Sequence, residues 1–223
     1  MPEEIIENGV FKIPLFHGTS TLFLESIQTH GLGGVKPLEV HSVRAFVKEA
    51  YELCDAVYSG DEKWEDCKFS PQWLINQECF SDNANFQHGD TYLATNRACA
   101  VRHALKNSCG SELLTTGAFM VGLIRDRRPE LIDQAFLARN PVMKLISSDS
   151  KPILVTVRNV SADMLLSEGG ENPEKQIEKL KTLWSIFDGH DVPTINFRLR
   201  CVLPLSSPDI EYLDPACEED PWW

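Results

Sequence analysis

The apolar and polar residues near the N-terminus follow a pattern that predicts a strand, a tight turn and a helix. Val10 to Phe16 is an apolar segment that ends on His17. The Gly18-Thr19-Ser20 run after it is typical of a turn, because glycine adopts backbone angles that are forbidden to other residues. Apolar positions then recur at helical spacing from Leu22 to His30, and Gly31 stands where a helix would end. The segment therefore predicts a histidine at the rim of a sheet.

Helical periodicity recurs further along the chain. Apolar positions from Ser42 to about Tyr58 repeat every three or four residues, and a shorter helix is predicted from Ser70-Pro71, so residues 42–80 are interpreted as a helical insertion. A third helix is predicted from Asn96 to Lys106, with Thr95 as its cap and an apolar face that consists of Ala98, Val101 and Leu105.

Five later segments are predicted to be strands, the last of them a short one after a turn in residues 206–213. Thr91 to Ala94 is short, Ala118 to Ile124 is a continuous apolar run, and Lys151 to Val160 alternates regularly. The fourth segment runs from Asn196 to Leu203. Because strands and helices are mixed without a regular βα alternation, we predict an α+β fold rather than a doubly wound sheet.

The size and charge of the chain narrow the classes of protein that it can belong to. Its 223 residues suit a single domain, 1–223, that ends in an acidic tail at about 214–223 with Trp222 and Trp223. The formal net charge of −12 argues against non-specific nucleic-acid binding, which depends on a basic surface. The acidic N-terminus does not resemble a secretory signal, and the longest apolar run is too short to span a membrane.

The seven cysteines form no C-x-x-C pair and no zinc-type spacing with histidine. We therefore expect reduced thiols, a cytoplasmic protein and no metal site.

Two short segments together resemble the ADP-ribosyltransferase superfamily, on its diphtheria-toxin and PARP-like side. The first is Leu15-Phe16-His17-Gly18-Thr19-Ser20 with Gly31-Leu32 after it. The second is Gly89-Asp90-Thr91-Tyr92-Leu93-Ala94 before an alanine-rich helix. The resemblance implies a split pair of small antiparallel sheets with flanking helices, and NAD as a co-substrate in the cleft between them.

The resemblance also implies roles for individual residues. His17 would hold the ribose next to the nicotinamide, the Gly18 backbone and Thr19 would bind the carboxamide end of NAD, and Tyr92 would stack on the nicotinamide ring. Asn196 stands where the family commonly has a glutamate at the head of a late strand. The resemblance thus predicts transfer of single ADP-ribose units, catalysed by His17, Tyr92 and Asn196, to a macromolecular acceptor.

Glu112 and Glu168 are spare carboxylates for the position that Asn196 leaves without an acid, and each is also interpreted as a solvated residue. The expected acceptor is a protein rather than a nucleic acid, and the expected role is that of a toxin, effector or defence enzyme. Because Asn196 replaces an acid, a non-catalytic module that binds NAD or ADP-ribose stays open as the alternative.

A sibling family, the RNA 2′-phosphotransferases, shares the His-Gly-Thr start and is a second alternative. It needs basic residues around a phosphate, and the available ones are His41, Arg44, Arg97 and Arg102. Other histidines carry no predicted function: His88, His103 and His190 are interpreted as structural or surface residues, and His30 as a cation at a helix C-terminus.

Overall fold

The structure is a computed structural model that describes residues 4–76, 89–134, 139–187, 192–205 and 209–214. Within these ranges eight strands are present: β1 Ile6–Glu7, β2 Val10–Phe11, β3 Leu15–Ser20, β4 Tyr92–Ala94, β5 Pro152–Val157, β6 Leu165–Leu166, β7 Asn196–Leu199 and β8 Asp209–Tyr212. The described α-helices are α1 Leu24–His30, α2 Pro37–Val40, α3 Val43–Val57, α4 Glu62–Cys67, α5 Phe69–Ile75, α6 Arg97–Lys106, α7 Glu112–Arg127, α8 Pro129–Gln134, α9 Pro141–Ile146 and α10 Glu174–Ile186.

The strands form two antiparallel sheets of unequal size. β1 and β2 make a hairpin, and the other six strands make one sheet in the order β6-β7-β4-β3-β5-β8. All neighbouring strands of the large sheet are antiparallel. The predicted α+β class is therefore confirmed.

The large sheet consists of two three-stranded halves with a weak junction between them. β3 pairs with β5 over six residue pairs, from Leu15↔Val157 to Ser20↔Pro152. By contrast, β3 and β4 share only the pair Phe16↔Ala94. We call this boundary between β3 and β4 the seam. Next to that pair, the Tyr92 carbonyl oxygen of β4 lies 2.9 Å from Nδ1 of the His17 ring of β3.

Besides a small cluster that joins helix α6 to the sheet, with Ala94, Ala100 and Leu154, two larger hydrophobic cores stabilise the described part of the chain. The first lies against the sheet and includes Leu15, Leu93, Val155 and Phe197. The second lies among the helices, where α3 and α7 bury Phe46, Val47, Leu114, Met120 and Ile124. Phe23 packs against both cores.

The predicted helix from Ser42 to Tyr58 is confirmed as α3, and α4 and α5 supply further helix up to Ile75. Residues 77–80 of the predicted insertion lie outside the described part of the chain, as does the acidic tail after Asp214, with Trp222 and Trp223. The single-domain organisation stays a prediction. None of the helices in the described part is both long and apolar enough to cross a membrane.

The predicted strand from Ala118 to Ile124 is wrong, because these residues belong to helix α7. Ser111 begins this helix, since its side chain accepts a hydrogen bond from the Leu114 backbone N–H. The buried residues of α7 fall on one face, but the other face carries the apolar and exposed Phe119, so the run shows no helical period and matches a buried strand.

Three predicted boundaries also change. The strand expected from Val10 to Phe16 is interrupted at residues 12–14, and β3 continues through Gly18 and Thr19 to Ser20, where a turn was predicted. Asn96, not Thr95, caps α6, because its side chain accepts from the Cys99 N–H. β7 ends at Leu199 rather than Leu203, since its neighbours β4 and β6 offer no partner beyond that point.

Candidate functional site

A cavity of about 460 Å³ lies at the seam, which is large enough for a small-molecule ligand. The five residues predicted to bind or transform NAD all line it: His17, Gly18, Thr19, Tyr92 and Asn196. β3 supplies the first three, β4 supplies Tyr92 and β7 supplies Asn196. Chain segments that are far apart in sequence thus meet around one space.

His17 is held across the seam by a backbone carbonyl. Its Nδ1 lies 2.9 Å from the carbonyl oxygen of Tyr92. A carbonyl only accepts hydrogen bonds, so Nδ1 carries the proton. Burial lowers the pKa of His17 to about 4, which leaves the ring neutral at pH 7. Nε2 is then an acceptor, available to the hydroxyl of a bound ligand.

Gly18 does not form the turn that the sequence predicts. It lies within β3 and is not among the glycines with positive φ. A Cβ at this position would stand 1.9 Å from the backbone oxygen of Ala100 in α6. Gly18 therefore lets helix α6 approach the strand closely, which brings the residues of that helix to the wall of the cavity.

Thr19 is a buried residue that connects β3 to the turn before α7. Its hydroxyl donates a 3.2 Å hydrogen bond to the Gly110 carbonyl, and only 1% of the residue is exposed. The hydroxyl proton is therefore used within the protein, and Thr19 can offer a ligand only acceptor capacity or its backbone.

Tyr92 and Asn196 lie on the same half of the sheet, two positions apart along neighbouring strands. Tyr92 pairs with Arg198, and Asn196 pairs with Ala94. Side chains of residues two apart in a strand lie on the same face, so both residues line the cavity from one side. The Asn196 amide Nδ2 donates to the Glu168 carboxylate at 3.2 Å. Glu168 thus contacts a lining residue without lining the cavity itself.

The second spare carboxylate, Glu112, does line the cavity. It is the first residue of α7, where the positive end of the helix dipole favours a negative charge. The backbone turn that brings it there is fixed by Ser111 as N-cap.

His103 is exposed, in keeping with its interpretation as a surface residue, and it also lies on the cavity wall with Cys99 and Ala100. Asn107 Nδ2 donates both to the His103 carbonyl at 2.9 Å and to Nδ1 of the ring at 3.3 Å. Because the amide nitrogen only donates, Nδ1 accepts and the neutral ring carries its proton on Nε2. Nε2 of His17 is therefore a hydrogen-bond acceptor, whereas Nε2 of His103 is a donor.

The predicted inner face of α6 missed this arrangement. Ala100, Val101 and Ala104 are the buried residues, whereas Ala98 is exposed. A signal was present in the spacing, because Cys99 and His103 are one helical turn apart and adjoin Ala100 and Ala104 on the helix surface. Alanines occur on both the buried and the exposed face of α6, so hydrophobicity alone does not distinguish the two faces. The predicted face is therefore rotated about the helix axis relative to the observed one.

Other lining residues were not predicted to contribute to the site. Aromatic and apolar side chains come from Phe16, Phe23, Val35 and Trp73, the last of them from helix α5. Helix α5 therefore closes part of the cavity that the sheet leaves open.

The charged residues at the mouth form a small network. Asp90 accepts from Lys36 Nζ at 2.9 Å and from Arg198 at 2.8 Å. The hydrogen bond with Asp90 is the main cause that raises the pKa of Lys36, which stays cationic at neutral pH. Lys36 is the only lysine or arginine among the described residues that line the cavity, against the two acids Asp90 and Glu112. The wall is thus not a strongly basic phosphate pocket.

The basic residues considered for a splice-junction phosphate do not gather here. None of His41, Arg44, Arg97 and Arg102 is among the residues described as lining the cavity. Arg97 instead pairs with Glu211 on β8 at 2.7 Å. His30 ends α1 as predicted, while His88 and His190 lie outside the described residues.

Across the described ranges, no cluster of three or more His, Cys, Asp or Glu side chains is arranged to hold a metal ion. No protein-family model matches the sequence, and no curated protein or solved structure shows significant similarity to it.

Proposed function

We propose that this chain is an NAD-dependent mono-ADP-ribosyltransferase whose active site is the cavity at the seam. The observation that carries the proposal is the meeting of His17, Gly18, Tyr92 and Asn196 around one cavity. The two sequence segments that resemble the ADP-ribosyltransferase superfamily are separated by a long stretch of chain, and both contribute to the same wall.

The chemistry of the wall suits the nicotinamide end of NAD. Tyr92, Phe16 and Trp73 offer aromatic surface for a flat ring. Neutral His17 offers Nε2 as an acceptor for a ribose hydroxyl, because its Nδ1 proton is directed to the Tyr92 carbonyl. Glu112 adds negative charge, which favours the positively charged nicotinamide ring over a neutral analogue, whereas the charge of Asp90 is balanced by Lys36 and Arg198.

The proposed reaction breaks the bond between the ribose C1′ and the nicotinamide nitrogen. The bonding electron pair leaves with nicotinamide, and positive charge develops on C1′ and the ring oxygen of the ribose. A nucleophile of the acceptor then forms the new bond to C1′ and loses its proton to a base. Glu112 lies on the wall where such a base is needed, His103 offers its Nε2 proton as a hydrogen-bond donor, and negative or polar groups near C1′ stabilise the developing charge.

Asn196 supports transfer of one unit rather than chain growth, since a carboxylate is absent from the head of β7. The net charge of −12 favours a protein acceptor over a nucleic acid. The proposal includes a cytoplasmic location, which is supported by the five described cysteines that are all unpaired. A role as a toxin, effector or defence enzyme belongs to the same proposal.

The test is release of nicotinamide from labelled NAD, with and without a mixture of candidate acceptor proteins. The wild type should release nicotinamide, and His17→Ala and Tyr92→Ala should each lower the rate at least about 100-fold. His30→Ala and Tyr212→Ala are matched controls, because both residues are exposed and lie away from the cavity. Absence of turnover by the wild type would refute the enzyme proposal.

The second candidate is a non-catalytic module that binds NAD or ADP-ribose, and Asn196 in place of an acid is the observation that favours it. Calorimetry separates the two functions. Binding of NAD that is weakened by Tyr92→Ala, without any nicotinamide release, would establish the module.

A further inference from the structure

Glu168 and Asn196 form a pair at the edge of the cavity. Glu168 follows β6 in a turn that is closed by hydrogen bonds between Ser167 and Glu171, at 2.8 and 2.9 Å. The Glu168 backbone N–H also donates to the Gln176 side chain of α10 at 3.1 Å. These contacts fix the turn, so the carboxylate is held in place to accept from Asn196.

The same turn is packed against the charged network at the mouth. Gly170 has a φ of +89°, and a Cβ there would lie 2.2 Å from the Arg198 guanidinium. Arg198 in turn pairs with Asp90. The position of Glu168 is therefore coupled to strand β7 by two contacts, one at Asn196 and one at Arg198.

The direction of the hydrogen bond determines what Asn196 can present to a ligand. Nδ2 donates to Glu168, and the described residues supply no hydrogen-bond donor to the amide oxygen Oδ1. A donated N–H···O⁻ bond polarises the amide and raises the negative charge on Oδ1. The pair therefore provides an oxygen with enhanced negative character at the head of β7, where the residue itself carries no charge.

We propose that Glu168 is a positioning residue that acts through Asn196 to stabilise the positive charge that develops on the ribose. This inference rests on the proposed function. When the bond from C1′ to the nicotinamide nitrogen breaks, Oδ1 of Asn196 faces the electron-poor C1′, and Glu168 balances the charge through the shared proton. The proton stays on Nδ2, and no covalent bond forms with either residue.

The test compares substitutions in the full chain by nicotinamide release. Glu168→Gln keeps an oxygen that accepts from Nδ2 but removes the charge, so kcat should fall about 10-fold while KM changes less than about twofold. Glu168→Ala should lose more, since the amide is no longer oriented. The control is Glu171→Gln, which removes the same charge from an exposed side chain of the same turn.

Rescue distinguishes an electrostatic role from a merely structural one. Adding Asn196→Asp to Glu168→Gln returns a carboxylate to the pair, and kcat should recover at least about threefold over Glu168→Gln alone. Each variant is first checked for a wild-type melting temperature and for NAD binding by calorimetry. A Glu168→Gln variant that binds NAD and has wild-type kcat would overturn the inference.

An equal loss in Glu171→Gln would overturn it too, because the effect would then be one of general surface charge. A wild type that releases no nicotinamide would instead remove the proposed function and this inference together. Wild-type kcat in Glu168→Gln, or an equal loss in Glu171→Gln, removes this inference and leaves the proposed function intact. Failure of the inference is therefore distinguishable from failure of the proposed function.

Discussion

Gly18 shows how one residue controls the geometry of the site. Its Cα lies so close to α6 that any side chain would overlap the backbone oxygen of Ala100. The backbone of a helix moves less easily than a side chain, so a larger residue at this position would push β3 and α6 apart.

We therefore predict that Gly18→Ala lowers the free energy of unfolding by about 1–3 kcal/mol or more, as measured by urea denaturation. Gly122→Ala is the matched control. Gly122 lies in helix α7 with open space around it, so the same change should raise stability by about 0.5–1 kcal/mol. Equal effects of the two substitutions would contradict the proposed close packing.

The burial of the His17 imidazole leads to a second prediction at the residue scale: how the free energy of unfolding depends on pH. Burial lowers the folded-state pKa of His17 from 6.5 to about 4, so the folded protein binds this proton less readily than the unfolded chain. The contribution of His17 to stability is present in full above about pH 6.5 and is lost progressively as the pH falls towards 4.

The measurement is the free energy of unfolding at pH 7 and pH 4.5, for the wild type and for His17→Gln. Because carboxylates also titrate in this range, the difference between the two proteins isolates His17. The wild type should lose more stability than His17→Gln between these pH values, whereas His30→Gln should lose as much as the wild type.

How much of the site the sequence predicts depends on the kind of residue. The resemblance to the ADP-ribosyltransferase motifs, rather than the apolar pattern, predicted the roles of Tyr92 and Asn196, whereas the pattern itself placed His17 at the rim of a sheet. His103 was missed because its helix packs through alanines, which carry little periodic contrast. The contribution of Trp73 depends on contacts between distant segments, which no local pattern contains.

At the scale of elements, α7 illustrates how a helix and a buried strand can share a sequence signature. The apolar run from Ala118 to Ile124 matched both, and the decisive information was outside it, at the cap of the helix. Ser111 accepts from the Leu114 N–H at 3.2 Å, whereas Ser42 begins α3 without a side-chain hydrogen bond to that helix.

The two serines therefore predict different outcomes for the same substitution. Ser111→Ala should cost about 1 kcal/mol of stability, because a helix N–H loses its partner. Ser42→Ala should change stability by less than about 0.5 kcal/mol. Thermal melts followed by circular dichroism at 222 nm measure both, and similar losses would show that the cap does not stabilise α7.

The large sheet was predicted less completely than its strands. The pattern located β4, β5 and β7, but not their order, since strand pairing joins residues that are far apart in sequence. β3 and β4 share one residue pair and a contact from the His17 ring to the Tyr92 carbonyl, a side-chain contact that no strand pattern contains.

At the scale of the whole molecule, the cavity is lined by Ala94 and Ala100 of the small α6 cluster and by side chains that pack against the two larger hydrophobic cores. Phe23 packs against both cores and also lines the cavity. A ligand in the cavity would contact the sheet through Tyr92 and the helical layer through Trp73. Binding should therefore stabilise both cores at once.

We predict that NAD raises the melting temperature of the wild type in a single cooperative transition. A concentration of about 100 times the Kd corresponds to about 2.7 kcal/mol of added stability. Trp73→Ala should reduce the shift, while Phe69→Ala, which alters an exposed aromatic residue of the same helix, should leave it unchanged. A shift of equal size in Trp73→Ala would exclude α5 from the binding surface.

The two ion pairs that Asp90 makes differ in their exposure to solvent, so we expect salt to weaken them to different extents. Lys36 is 43% exposed, whereas Arg198 and Asp90 are 16% and 17% exposed. Dissolved ions weaken the accessible contact first and the enclosed one much less. Concentrated sodium chloride should thus loosen the loop that carries Lys36 while β7 keeps its anchor. Titrations of the protein with NAD in dilute and in concentrated sodium chloride would then compare a narrower and a wider mouth of the cavity. Crystals grown at high salt would favour the wider mouth.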